Sequence, residues 1–186
     1  PVTQDNLQIL RRYGWDVIEP ASGRLACGAV GKGKMPEPDD LLQHILKYLA
    51  LPHDLEGKKI VVTAGPTQES LDPVRYLTNH STGKMGYAIA AELATRGAKV
   101  TLVTGRTTLP TPQGVDRVDV LSAEQMYNAT VEAFDSADGA IMCAAVADYT
   151  PVAVSDTKIK KNDAAFTLEL RKTKDIAFEL GKVKGA

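Results

Sequence analysis

The feature that most constrains this chain is a change of rhythm after Lys58. From that point, short apolar runs alternate with stretches whose apolar residues recur every three to four positions. Lys59-Ile60-Val61-Val62-Thr63-Ala64 and Lys99-Val100-Thr101-Leu102-Val103-Thr104 read as strands covered on both faces. Arg117-Val118-Asp119-Val120 and Gly139-Ala140-Ile141-Met142-Cys143-Ala144 supply two more. Between them lie a helix striped by Met85, Ala88, Ile89 and Leu93, which Gly97 ends, and a helix capped by Ser122 that runs through Met126, Ala129, Ala133 and Phe134. Strands separated by helices require crossovers, and crossovers set the strands parallel with helices on both faces.

The expected fold class is therefore α/β, a Rossmann-like parallel sheet preceded by a short helical and loop segment. In that leading segment Thr3 caps a helix through Leu7 and Leu10 that Gly14 stops, and Trp15-Asp16-Val17-Ile18 reads as a short strand. Pro20 to Pro38 holds too many glycines and prolines for a regular element. Pro38 then opens a helix with one apolar face at Leu41, Leu42, Ile45, Leu46 and Leu49. Residues 52–57 read as a linker. The expected division is thus 1–51, then 52–57, then a domain over 58–186.

Composition narrows the function classes. With 22 basic and 23 acidic residues the net charge is −1, so neither nucleic acid nor a membrane surface is an expected partner. No apolar run approaches the roughly 20 residues of a spanning helix. Two cysteines, Cys27 and Cys143, suit a reduced cytoplasmic protein, and three scattered histidines lack metal-ligand spacing, leaving any metal ligands unknown.

Ligands of such sheets bind beyond the carboxyl ends of the strands. Those ends are Ala64-Gly65-Pro66-Thr67, Thr104-Gly105-Arg106 and Ala144-Ala145-Val146-Ala147-Asp148. An unusually long connection, Pro66 to Ser81, carries Arg75, Asn79 and His80. It ends in Ser81-Thr82-Gly83-Lys84-Met85-Gly86 at a helix start, where main-chain N–H groups suit a phosphate. Either Ser81 is only a cap there, or the turn holds an anion. Gly83-Lys84-Met85 is no P-loop, and Gly65-Pro66-Thr67 is no dinucleotide fingerprint. Arg106 at the second strand end keeps an NADP-binding reductase open. Lys158-Ile159-Lys160-Lys161 is either a solvated face or a cluster for nucleotide phosphates. Asp148 is either a ribose contact or a helix cap.

Taken together, Ala64-Gly65-Pro66-Thr67, Arg75-Tyr76, Asn79 through Gly86, Ala144 through Tyr149, and Lys158-Ile159-Lys160-Lys161 resemble the phosphopantothenate–cysteine ligase domain. Pro1-Val2-Thr3-Gln4, Pro20 through Gly28 and Gly31 through Met35 resemble the C-terminal tail of a flavin-dependent phosphopantothenoylcysteine decarboxylase. The two are fused in bifunctional coenzyme A biosynthesis proteins, and the chain reads as a section of such a fusion, with the ligase domain truncated at its C-terminus.

The resemblance implies a reaction in which CTP, with Mg²⁺, activates 4′-phosphopantothenate as an acyl-cytidylate that the cysteine amine then attacks. It implies that Lys158 contacts the triphosphate, that Asn79, Arg75 and Ala145 hold the intermediate, and that Asp148, Lys174, Asp175, Ile176 and Ala177 bind the nucleotide. Lys174 departs from the family pattern, where proline commonly stands. Cys27 is implied as proton donor of the decarboxylase half, which uses FMN bound mostly by residues outside this chain. A homodimer through the ligase domain, within a larger homo-oligomer, is implied as well. A non-catalytic fragment is the remaining alternative.

Overall fold

The computed structural model describes residues 2–49, 53–161 and 166–183. The chain divides into two compact units, Pro1–Leu51 and Pro52–Ala186. In the first, helix α1 (Val2–Arg12) starts one residue ahead of the expected cap Thr3 and gives way at Gly14, whose φ is +80°. A two-stranded antiparallel ribbon, β1 (Ala21–Arg24) and β2 (Val30–Lys34), follows, then α2 (Pro38–Leu49).

Two expectations are corrected in this unit. Trp15 to Ile18 form no strand, because no neighbouring strand supplies a ladder. The glycine-rich stretch does form a regular element: Gly23 lies opposite Gly31, so glycines that look like breakers pair with each other across the ribbon. Of the expected linker, Pro52 lies outside the described residues. Residues 53–57 are no free tether, since Leu55 packs on the core of the second unit and its N–H donates to the Arg96 carbonyl.

The second unit opens with β3 (Lys59–Ala64), followed by a small antiparallel pair, β4 (Gln68–Ser70) and β5 (Tyr76–Thr78). Then come α3 (Lys84–Thr95), β6 (Lys99–Thr104), β7 (Val115–Asp119), α4 (Ala123–Phe134) and β8 (Gly139–Met142). A second antiparallel pair, β9 (Tyr149–Pro151) and β10 (Leu170–Lys172), leads to α5 (Ile176–Val183). The main sheet is four-stranded and wholly parallel, in the order β7-β6-β3-β8. Its Rossmann-like architecture is as expected. Alternate residues of β3 serve the two faces: Val62 and Ala64 pack with α3, while Val61 packs under α4 and α5 with Val103, Met126, Ile176 and Leu180.

Local differences have local causes. Helix α3 turns Met85 and Ala88 outward and buries Gly86, Tyr87, Ala90 and Ala94 instead. It approaches β3 so closely that a Cβ at Gly86 would lie 2.6 Å from the Ala64 Cβ. The third strand begins at Val115 rather than Arg117, and Ser122 caps α4 by accepting from the Gln125 N–H. Strand β8 ends at Met142; beyond it the Thr63 hydroxyl accepts the N–H groups of Cys143 and Ala144, at 3.1 and 3.2 Å, while the Cys143 N–H also donates to the Thr63 carbonyl at 3.2 Å.

Candidate active site

Strand β3 has β6 on one side and β8 on the other, so the chain reverses its winding direction there. Such a switch point leaves a crevice outside the carboxyl ends of the strands. The segment after β8 runs along this crevice in extended form, and its residues face alternate sides. Met142, Ala144, Val146 and Asp148 line a cleft of about 460 Å³ on one side; Cys143 lines a cleft of about 690 Å³ on the other.

The wall between these clefts is held by side chains from distant elements. Thr63 takes its first two N–H groups, and the buried Thr67 hydroxyl accepts the Ala147 N–H at 2.9 Å. From the far side, the Thr173 hydroxyl donates to the Ala147 carbonyl at 2.6 Å. Asn79 Nδ2 donates to the carbonyls of Ala145 and Val146, at 3.2 and 3.0 Å. Ala145 itself bridges Pro66 in parallel register. Short polar side chains therefore tie the wall from Cys143 to Ala147.

The first cleft brings together Asp148, Asp175, Ile176 and Ala177, four of the six residues expected at a nucleotide. Asp175 Oδ1 accepts the Phe178 N–H at 3.0 Å and so caps α5, whose N-terminus opens on this cleft. Asp148 precedes a strand, which disposes of its helix-cap reading. Lys174 is turned elsewhere: its Nζ lies 4.0 Å over the Tyr127 ring, and the residue lines a neighbouring cleft with Gln68, Ser122 and Arg171.

The second cleft is built from Asn79 through Gly86 at the start of α3. Gly83 is the cap of that helix, with φ +76° and no side-chain cap bond. Ser81 is not the N-cap; its hydroxyl accepts the Gly83 N–H at 3.3 Å. A Cβ at Gly83 would lie 2.9 Å from Thr107 Cγ2, so only glycine fits this turn.

Arg75 and Lys158 line neither cleft. Arg75 pairs with the buried Asp72, whose carboxyl is held well below the usual range, first by the guanidinium and then by main-chain N–H groups that overcome its burial. Lys158 sits exposed on the segment after β9. Among the described residues, then, Lys158 does not line the cleft that holds Asn79. Cys27 is exposed in the turn joining β1 and β2, where Gly28 takes φ +85°. Among the described residues no group of three His, Cys, Asp or Glu side chains is placed to hold a metal, and no helix is long and apolar enough to cross a membrane.

Reasoning from sequence missed Thr63, Thr67 and Thr173, which hold the wall, and Asp72. The usable signals were a threonine just inside the end of a strand and the Asp72-Pro73 turn pair.

Residues 55–186 match the family described as DNA/pantothenate metabolism flavoprotein C-terminal domain. The chain belongs to that family. Residues 1–50, ahead of this C-terminal domain, match a second family described as Flavoprotein. Among curated relatives of this chain, one from an unknown prokaryotic organism is named cysteine/cysteine sulfinic acid decarboxylase. It is 47% identical over 99% of this chain and 53% of its own length. The coenzyme A biosynthesis bifunctional protein CoaBC of Vibrio parahaemolyticus is 49% identical over 94% of this chain and 44% of its own. The chain thus spans about half the length of these relatives. The crystal structure of the C-terminal domain of a coenzyme A biosynthesis bifunctional protein CoaBC shares the fold with TM-score 0.62 and 45% identity, covering 70% of this chain and 61% of that one.

Proposed function

We propose that the second unit joins 4′-phosphopantothenate to cysteine at the expense of CTP, within a bifunctional enzyme of coenzyme A biosynthesis. The observation that carries this reading is the convergence of Asp148, Asp175, Ile176 and Ala177 on the switch-point cleft, back to back with a second cleft at a helix N-terminus. The first suits a nucleoside: carboxylates for ribose hydroxyls beside the apolar walls of Met142, Ala144 and Val146. The second suits the terminal phosphate of the pantothenate, met by main-chain N–H groups.

In this reading the pantothenate carboxylate attacks the α-phosphorus of CTP, the α–β phosphoanhydride bond breaks, and pyrophosphate leaves. The cysteine amine then attacks the acyl carbon, loses a proton, and CMP departs. Chemistry of this kind relies on positioning and on neutralising developing charge. The shared wall supplies the positioning, with Asn79 steadying Ala145 and Val146 from the phosphate side. Lys158 supplies the charge, and we assign its meeting with Asn79 to a homodimer.

Mg²⁺ is proposed as the companion of the triphosphate; the described residues do not by themselves form a site for it, and no step runs through it. FMN is proposed for the full-length protein on the match of residues 1–50 to the Flavoprotein family. Cys27, exposed on its turn, is the candidate proton donor of that half.

The test is pyrophosphate release by the full-length protein given CTP, Mg²⁺ and 4′-phosphopantothenate, with and without cysteine. Release that requires the pantothenate is expected. No release, together with binding of NADP, would replace this reading by a reductase.

A further inference from the structure

Asp72 belongs to neither cleft, yet its side chain is fully buried and accepts five hydrogen bonds. Oδ1 takes the N–H groups of Val74 and Arg75 at 2.8 and 2.7 Å. Oδ2 takes Arg75 Nε at 3.0 Å, Arg75 Nη2 at 2.5 Å, and, from 87 residues along the chain, the Ile159 N–H at 3.1 Å. The same Arg75 Nη2 donates to the Ile159 carbonyl at 2.8 Å. Both main-chain groups of one residue are thereby gripped by an ion pair on the turn between β4 and β5. A second grip lies four residues earlier, where the Ser155 N–H donates to the Leu71 carbonyl at 2.9 Å. The Val152 N–H is tied as well, donating to the Glu169 carbonyl at 3.0 Å, while the side chains of Val152, Ala153, Val154, Asp156, Thr157, Lys158, Lys160 and Lys161 are exposed.

We infer that Asp72 is a positioning residue: with Arg75 it latches the lysine-bearing segment by holding Ile159, and so fixes the point from which Lys158 reaches. Its service to turnover rests on the ligase reading above; the latch itself does not. A carboxylate is needed at this place for two reasons. Only a group with two acceptor oxygens satisfies five donors, and only a negative charge keeps Arg75 from repelling Lys158, Lys160 and Lys161. Asp72→Asn preserves the shape but loses one acceptor oxygen and the charge, which releases Ile159 while leaving the parallel sheet untouched.

The experiment uses full-length protein and three readouts. Trypsin cleavage after Lys158, Lys160 and Lys161, mapped by mass spectrometry, should quicken at least about tenfold in Asp72→Asn, because protection follows the free energy of local opening. The kcat of pyrophosphate release should fall ~10²-fold with KM for CTP little changed, as expected when a reacting group is displaced. In a Lys158→Gln background, Asp72→Asn should cost nothing further, since it acts through that lysine. Unchanged cleavage, or losses that multiply in the double variant, would overturn the inference. Should Asp72→Asn fail to fold, amide exchange of wild-type Ile159 decides: protection is expected, and exchange at the free-chain rate refutes the latch. A wild type that releases no pyrophosphate, with cleavage still quickened by Asp72→Asn, would sink the ligase reading and leave the latch standing.

Discussion

The two clefts on either side of the segment after β8 differ in what builds them. The Asp148 cleft is made of side chains drawn from β3, β8, β10 and α5, elements far apart in the chain. The Asn79 cleft comes largely from one continuous stretch, Thr78 through Gly86, and depends on glycines that let the main chain approach. A site assembled from scattered side chains can be tuned one residue at a time toward a nucleoside. A site made of main-chain groups binds an anion and tolerates little change. The difference teaches that one extended segment, with side chains alternating about it, separates two differently built clefts by the thickness of a single chain.

The largest effect should come from a residue in neither cleft. Lys158→Gln is expected to slow pyrophosphate release ~10²–10³-fold, the range for losing one electrostatic stabiliser, measured by steady-state kinetics. Next, the clefts should separate in calorimetric titration. Asp148→Ala should weaken CTP ~10–100-fold, as for losing hydrogen bonds to a charged group, with 4′-phosphopantothenate within about twofold. Gly86→Ala should do the reverse and lower stability by ~1–3 kcal/mol in urea unfolding, because its Cβ would lie 2.6 Å from that of Ala64.

Equal weakening of both ligands by Asp148→Ala would erase the distinction between the clefts. A change to the wall should affect both. Thr63→Val takes the hydroxyl acceptor from the Ala144 N–H and leaves the Cys143 N–H only the Thr63 carbonyl, costing ~1–3 kcal/mol of stability and weakening both ligands together. The smallest effect belongs to Lys174→Ala. It removes a cation–ring contact of about 0.5–1 kcal/mol and should leave CTP affinity within twofold, since Lys174 faces Tyr127 rather than the cleft.

How far this was legible in the sequence depends on the range of the forces involved. The six-residue strands β3 and β6 match their apolar runs residue for residue, because burial on both faces is written locally. The end of β8 was not legible, since beyond it the Ala144 N–H turns to a hydroxyl 81 residues away. The ribbon of β1 and β2 was hidden because a glycine paired with a glycine looks like two breakers. At the site, motif resemblance marked Asp148 and Asp175 through Ala177, which the fold gathers on one cleft. The same resemblance marked Lys174, which the fold turns away. Asp72 and the wall threonines act through bonds to a distant main chain, which no local pattern carries.

The central claim is that the nucleotide occupies the Asp148 cleft. Residue-resolved amide exchange with a saturating, non-hydrolysable CTP analogue tests it most directly. The account predicts new protection at Asp148, Tyr149, Ile176 and Ala177, with His80 through Lys84 unaffected until 4′-phosphopantothenate is added. Protection by the nucleotide confined to His80 through Lys84 would contradict it.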